Sequence, residues 1–298
     1  MIEPPRKASA AMARWFQLAV FVAAWCLESN AAADQLKQVV SREDPLFEVA
    51  TSRLVAGRDG DVYLSGNRYL LRTKPDGSDK HGSEVTYAVN RVAANAAGIM
   101  ATANGHFVHS VKFWTTDFKS IGNVSDFLVN DAVEWWAPYD VEAGASGDFY
   151  AIDQNRNRIV RVASPGRTVA TYALDRLGET LTRKMPELRV WEPGKQFYLL
   201  GSDTLRVVGF DGSPRWILPT RVSARVAART GGFDVDDNGN AFLLEETEKT
   251  VKVYDSSGHE AETIRLQMGE PATHVSDLRV MAGKLLVKTT SPSELFEV

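Results

Sequence analysis

The sequence predicts an all-β chain of six four-stranded blades, each of roughly 45 residues, closed into a propeller. Two independent periodicities carry that expectation. Segments that open on a valine, pass through a few turn residues and end in a short apolar run recur along the chain. They are "VAGRDGDVYL" (55–64), "VAANAAGIMA" (92–101), "VEAGASGDFYAI" (141–152), "VWEPGKQFYLL" (190–200), "VDDNGNAFLL" (235–244) and "VMAGKLLV" (280–287). Their leading valines lie 37, 49, 49, 45 and 45 residues apart. Turn glycines at 77, 166, 212 and 258 lie 89, 46 and 46 apart, the first step being two repeats. Each unit reads as strand, hairpin, strand, hairpin, strand, turn and a looser fourth strand.

Taken in order, the chain begins with Arg6, Lys7 and Arg14 ahead of the apolar run 15–27, then "ESN" and an A-x-A site at Ala31–Ala33. This is the pattern of a secretory signal peptide (1–33) cut before Asp34, whether translation starts at Met1 or Met12. The run is too short for a membrane span, and no second one follows. Trp25 before Cys26 argues against a lipid-anchor site, and Cys26 is the only cysteine, so the exported chain lacks disulfides. Residues 34–44 read as a lead-in and 45–298 as the propeller. The last unit stops after its third strand, "SELFEV" (293–298). "PLFEVA" (45–50) is the expected outer strand that completes it and removes the exposed sheet edge.

The third unit, "PYDVEAGASGDFYAIDQNRNRIVRVASPG" (138–166), resembles the NHL repeat. Pro138, Val141, Gly147, Asp148, Tyr150, Asp153, Asn157, Arg158, Ile159 and the final Pro-Gly are placed as in that family. The resemblance implies a six-bladed propeller and a binding platform. The other units keep little beyond the hydrophobic pattern and the glycines.

"DVDDNGNAFLLE" (234–245) fits the calcium-loop pattern D-x-[DN]-x-[DN]-G-x5-E, with Asp234, Asp236 and Asn238 as oxygen ligands. Its flanks alternate as strands do, so it is no EF-hand; the stretch is expected to be the first hairpin turn of the fifth blade. Calcium, held by these three residues, is the one cofactor this stretch suggests.

A formal net charge of −4 without a dominant basic cluster gives no reason to expect nucleic acid as a partner. The histidines at 81, 106, 109, 259 and 274 have no zinc-protease spacing, and no nucleophile elbow is present, so no catalytic residues are assigned. The residues just before the six valines are Leu54, Arg91, Asp140, Arg189, Asp234 and Arg279. Innermost strands converge on the axis, so the last five are expected to form a charge-alternating ring of interblade ion pairs. Three arginines there disfavour the dication of a metal-dependent hydrolase or lactonase, the alternative reading for a six-bladed propeller. A ligand face is expected on the loops between blades. Trp135, Trp136 and Tyr139 lie there with Arg183, Arg221, Arg225 and Arg229, a composition suited to a glycan, an anionic ligand or a protein partner.

Overall fold

The computed structural model describes residues 37–40, 53–65, 69–84, 91–104, 109–129, 132–153, 155–164, 166–174, 187–201, 204–220, 232–245, 249–266, 275–289 and 295–297, and all of its regular structure is β. A first strand, β1 (Lys37–Val40), precedes the first blade. That blade is β2 (Arg53–Ala56), β3 (Val62–Ser65), β4 (Tyr69–Thr73) and β5 (His81–Glu84). The second is β6 (Arg91–Ala94), β7 (Ile99–Asn104), β8 (Ser110–Thr115) and β9 (Ser120–Val124). A two-stranded hairpin follows, β10 (Asp126–Val129) and β11 (Ala132–Trp135). The third blade is β12 (Pro138–Ala143), β13 (Phe149–Asp153), β14 (Arg158–Ala163) and β15 (Arg167–Ala173). The fourth is β16 (Glu187–Trp191), β17 (Gln196–Leu200), β18 (Thr204–Gly209) and β19 (Pro214–Pro219). The fifth is β20 (Phe233–Val235), β21 (Ala241–Glu245), β22 (Thr250–Tyr254) and β23 (Glu260–Arg265). The chain ends in β24 (Val275–Met281), β25 (Lys284–Thr289) and β26 (Leu295–Glu297).

Beside the β10–β11 hairpin, the strands pair into six four-stranded antiparallel sheets, the first five of them meanders. The innermost strands touch in the order β2, β6, β12, β16, β20, β24 and back to β2, which closes a ring. This is a β-propeller. The sixth sheet runs β24–β25–β26–β1, so an N-terminal strand completes the last blade. The strand that does so is not 45–50, which lies outside the described residues. It is β1, whose Lys37, Gln38 and Val40 pair with Glu297, Phe296 and Leu295. "KQVV" meets the edge requirement as well as "LFEV" does, because a ladder is satisfied by backbone groups whatever the side chains.

The core is divided among the blade interfaces. Six separate apolar clusters each lie between two neighbouring blades. Both faces of every blade are therefore covered, and this is why the second strands read as apolar runs rather than alternating ones. Phe149 and Ala151 pack toward the second blade, while Tyr150 and Ile152 pack toward the fourth. The fourth strands have one covered face, and β15, β19 and β23 alternate accordingly.

Among the described residues, eight hairpins share one turn. In each, a residue donates its N–H to the carbonyl four residues on and accepts a bond from the N–H three residues on. The third loop residue has positive φ in every case; it is glycine in seven and Phe118 in one. This is a type I turn with a G1 bulge, whose twist suits adjacent strands. In the third blade the second hairpin is held differently. Buried Asp153 accepts from the N–H groups of Ala137 and Asn155, both at 3.1 Å, and pairs with Arg158 at 2.9 Å.

Candidate functional site

The axis of the propeller is packed with paired charges. Alternation along each innermost strand sends every second residue toward it, and the strands are short enough for side chains from all blades to meet. Asp140 on β12 reaches Arg91 of the preceding blade through Oδ1 at 3.1 Å and accepts from the Leu188 N–H of the following blade through Oδ2 at 2.7 Å. Asp234 repeats the device two blades on, with Arg189 at 2.6 Å and the Val280 N–H at 2.7 Å. Asp277 accepts from the Leu54 N–H at 2.8 Å across the ring closure and pairs with Arg279 at 3.1 Å. Arg279 and Arg189 both donate to the Phe233 carbonyl at 3.2 Å. Each aspartate thus ties its own blade to a neighbour's backbone; three of the six junctions carry such a bond, and two more carry an Asp–Arg ion pair.

Arg53 and Glu187 cross the ring rather than follow it. They lie on β2 and β16, opposite blades, with Arg53 Nη1 3.0 Å from Glu187 Oε1 and Arg91 3.8 Å from the same oxygen. Among the described residues neither Glu187 oxygen accepts a hydrogen bond, so the contact is one of charge. Burial pushes the Asp140 and Glu187 carboxyls above the usual carboxylate range, against the opposing pull of Arg53 and Arg189. Buried Lys288, opposite Asp277 on β25, is pulled down by burial.

Arg91, Asp140, Arg189, Asp234 and Arg279 all lie at the axis and are buried. Leu54 does not; it is a core residue of the interface between blades six and one. The position on the first blade is held by Arg53, four residues before the turn-opening Gly57, as Arg91 precedes Asn95 and Asp140 precedes Gly144. Counting from the turn finds it, whereas counting from Val55 misses it by one. Glu187 and Asp277 were also missed, although each lies two residues before an arginine that was found and so on the same strand face.

The calcium-pattern loop is one of the eight common turns. Asp236 Oδ1 accepts from the N–H groups of Asn238 and Asn240 at 2.9 and 2.8 Å, and Oδ2 from the Asn240 side chain at 2.9 Å. Asp234 is held by Arg189 and Val280, and Glu245 pairs with Lys252 at 3.5 Å. Asp234, Asp236 and Asn238 are not brought together on one point. Among the described residues no group of three or more acidic, histidine or cysteine side chains is placed to hold a metal ion.

The expected ligand face is divided. Trp136 is fully buried between blades two and three, its Nε1 donating to the Val124 carbonyl at 3.3 Å, and so it cannot meet a ligand there. A large ring adjoining a proline-led strand is worth more in the blade interface than in water. Tyr139 is half-buried under Arg91, whose guanidinium lies 5.4 Å from the ring centroid. Trp135 lies on β11. Arg183, Arg221, Arg225 and Arg229 lie outside the described residues. No helix among the described residues is long and apolar enough to cross a membrane.

No known protein family matches the chain, and no curated protein does. Solved structures do resemble it. A streptogramin B lyase superposes with a TM-score of 0.57 at 12% identity, over 89% of this chain and 97% of that one. A catalytically inactive virginiamycin B lyase from Staphylococcus aureus, with quinupristin, gives 0.54 at 13%, over 85% and 81%. A protein of unknown function from Bacteroides caccae gives 0.53 at 13%, over 75% and 79%. At such identity the likeness is one of fold, and the fold is the β-propeller.

Proposed function

We propose that this chain is an exported propeller that serves as a binding scaffold for a protein or a glycan or other anionic ligand, and that it is not a metal-dependent hydrolase or lactonase. The carrying observation is the axis. The carboxylates of Asp140, Asp234 and Asp277 each satisfy an arginine and a backbone N–H. A propeller that used its axis for metal chemistry needs oxygen ligands turned toward an ion, and four buried arginines beside them oppose a dication. The apolar run at 15–27 and the A-x-A site at Ala31–Ala33 support export. The NHL-like motif of the third blade supports a binding role by analogy.

A lyase reading comes from the structural neighbours, one of which is inactive through a histidine-to-alanine change. The described histidines give it no support. His81 lies on an outermost strand, and His109 and His259 sit exposed near hairpin turns. The test pairs two assays on the secreted mature protein. A glycan array and crosslinking in the exporting cell should yield a saturable partner. Breakdown of a streptogramin B, or metal-stimulated lactone hydrolysis, should stay at the buffer rate; turnover in either would overturn the proposal.

A further inference from the structure

The turns between first and second strands gather at one mouth of the ring, and one side chain crosses it. Arg58, in the first blade's turn, donates from Nε to the Ala143 carbonyl of the third blade at 2.8 Å. Its Nη1 pairs with Asp237 in the fifth blade's turn at 3.2 Å, while its backbone N–H donates to Ala94 of the second at 3.0 Å. Asp237 is 91% exposed and Arg58 29%, so that pair is solvated and weak. Directly beside Ala143 stands Glu142, a more sheltered anion. Among the described residues its short contacts are Arg189 at 3.5 Å and the Ala143 N–H at 3.2 Å. Arg189 gives its better geometry to Asp234 at 2.6 Å, so Glu142 is poorly satisfied when charged.

We propose that Glu142 and Arg58 form a proton-operated latch across this mouth: neutral Glu142 leaves Arg58 bracing the fifth blade through Asp237, and ionised Glu142 draws the guanidinium inward and frees that turn. The charged groups that act on Glu142 are Arg189 on β16, at 3.5 Å, and, through the field alone, Asp234 on β20, Arg58 on the first turn and Arg279 on β24. Burial raises the Glu142 carboxyl to about 7, Arg189 opposing and Asp234 assisting, so the exchange falls in the neutral range. A folded-state value above the unfolded one means that this group favours folding at acid pH. The contribution is complete below about 4.5 and lost as pH rises through about 7.

Carboxyl and guanidinium NMR of the intact protein between pH 5 and 9 tests this. Glu142 should titrate near neutrality, with the Arg58 Nε and Asp237 carboxyl signals moving at the same midpoint. In Glu142→Gln both movements should vanish, and the fall in melting temperature from pH 6 to 8 should shrink. In Asp237→Asn, which removes the competitor, the Glu142 midpoint should move down. Titration of Glu142 below pH 5 would overturn the latch. So would a neutral midpoint at which Arg58 and Asp237 stay still, or an unchanged midpoint in Asp237→Asn.

Discussion

Arg53 and Glu187 meet across the full width of the ring at 3.0 Å, with 4% and 1% of their side chains exposed. They belong to opposite blades, so this one contact spans the axis. Breaking a buried pair from one side leaves an uncompensated charge, at a cost of about 3–5 kcal/mol. Glu187→Ala is expected to lose that much by urea unfolding. Arg53→Met with Glu187→Leu should recover most of it, because neither charge is then stranded. A double variant as unstable as the single one would show that the pair does more than compensate itself.

The interblade aspartates should matter far more than acidic residues at the rim. Asp140 and Asp234 each join three blades, whereas Glu260 has a loose contact to Lys252 at 3.7 Å with 46% exposure. Asp140→Ala or Asp234→Ala should cost about 3 kcal/mol or more, and Glu260→Ala under about 0.5. Equal losses in chemical denaturation would remove the structural role of the ring.

Two glycines in the same turn position make a controlled comparison. Gly60 and Gly239 have φ of 86° and 82°, but a Cβ on Gly60 meets nothing within 4 Å and one on Gly239 lies 2.6 Å from the Trp191 ring. Gly60→Ala should cost about 1–2 kcal/mol, the left-handed backbone penalty. Gly239→Ala should add about 1–3 more, because Trp191 is also anchored by its Nε1 bond to the Asp237 carbonyl at 3.0 Å and must shift.

Calcium should leave the melting temperature where EDTA leaves it. Asp236 already spends both oxygens on its own turn, and Asp234 is tied to Arg189. A rise of several degrees with millimolar calcium would mean that the loop rearranges to bind it, and would revive the hydrolase reading.

The repeat was legible in the sequence, and with it the four-stranded blade. Each blade must bury both faces of its middle strands, and that demand writes the same apolar run and turn glycine every 45 residues or so. It also placed charges at the axis, since a charge one step from a leading valine falls on the opposite face. Extending the same alternation by two residues reaches Glu187 and Asp277, so these too were legible. Local letters did not tell a calcium loop from a capped hairpin turn, because Asp, Asn and Gly serve both: an Asp oxygen accepts backbone N–H groups as readily as it holds an ion. Which charges meet was settled by the closed ring alone. That Arg53 finds Glu187 and Arg58 finds Asp237, and that β1 rather than 45–50 completes the last blade, follows from the closing of the ring. Closure brings together residues whose separation along the chain carries no trace of their distance in space.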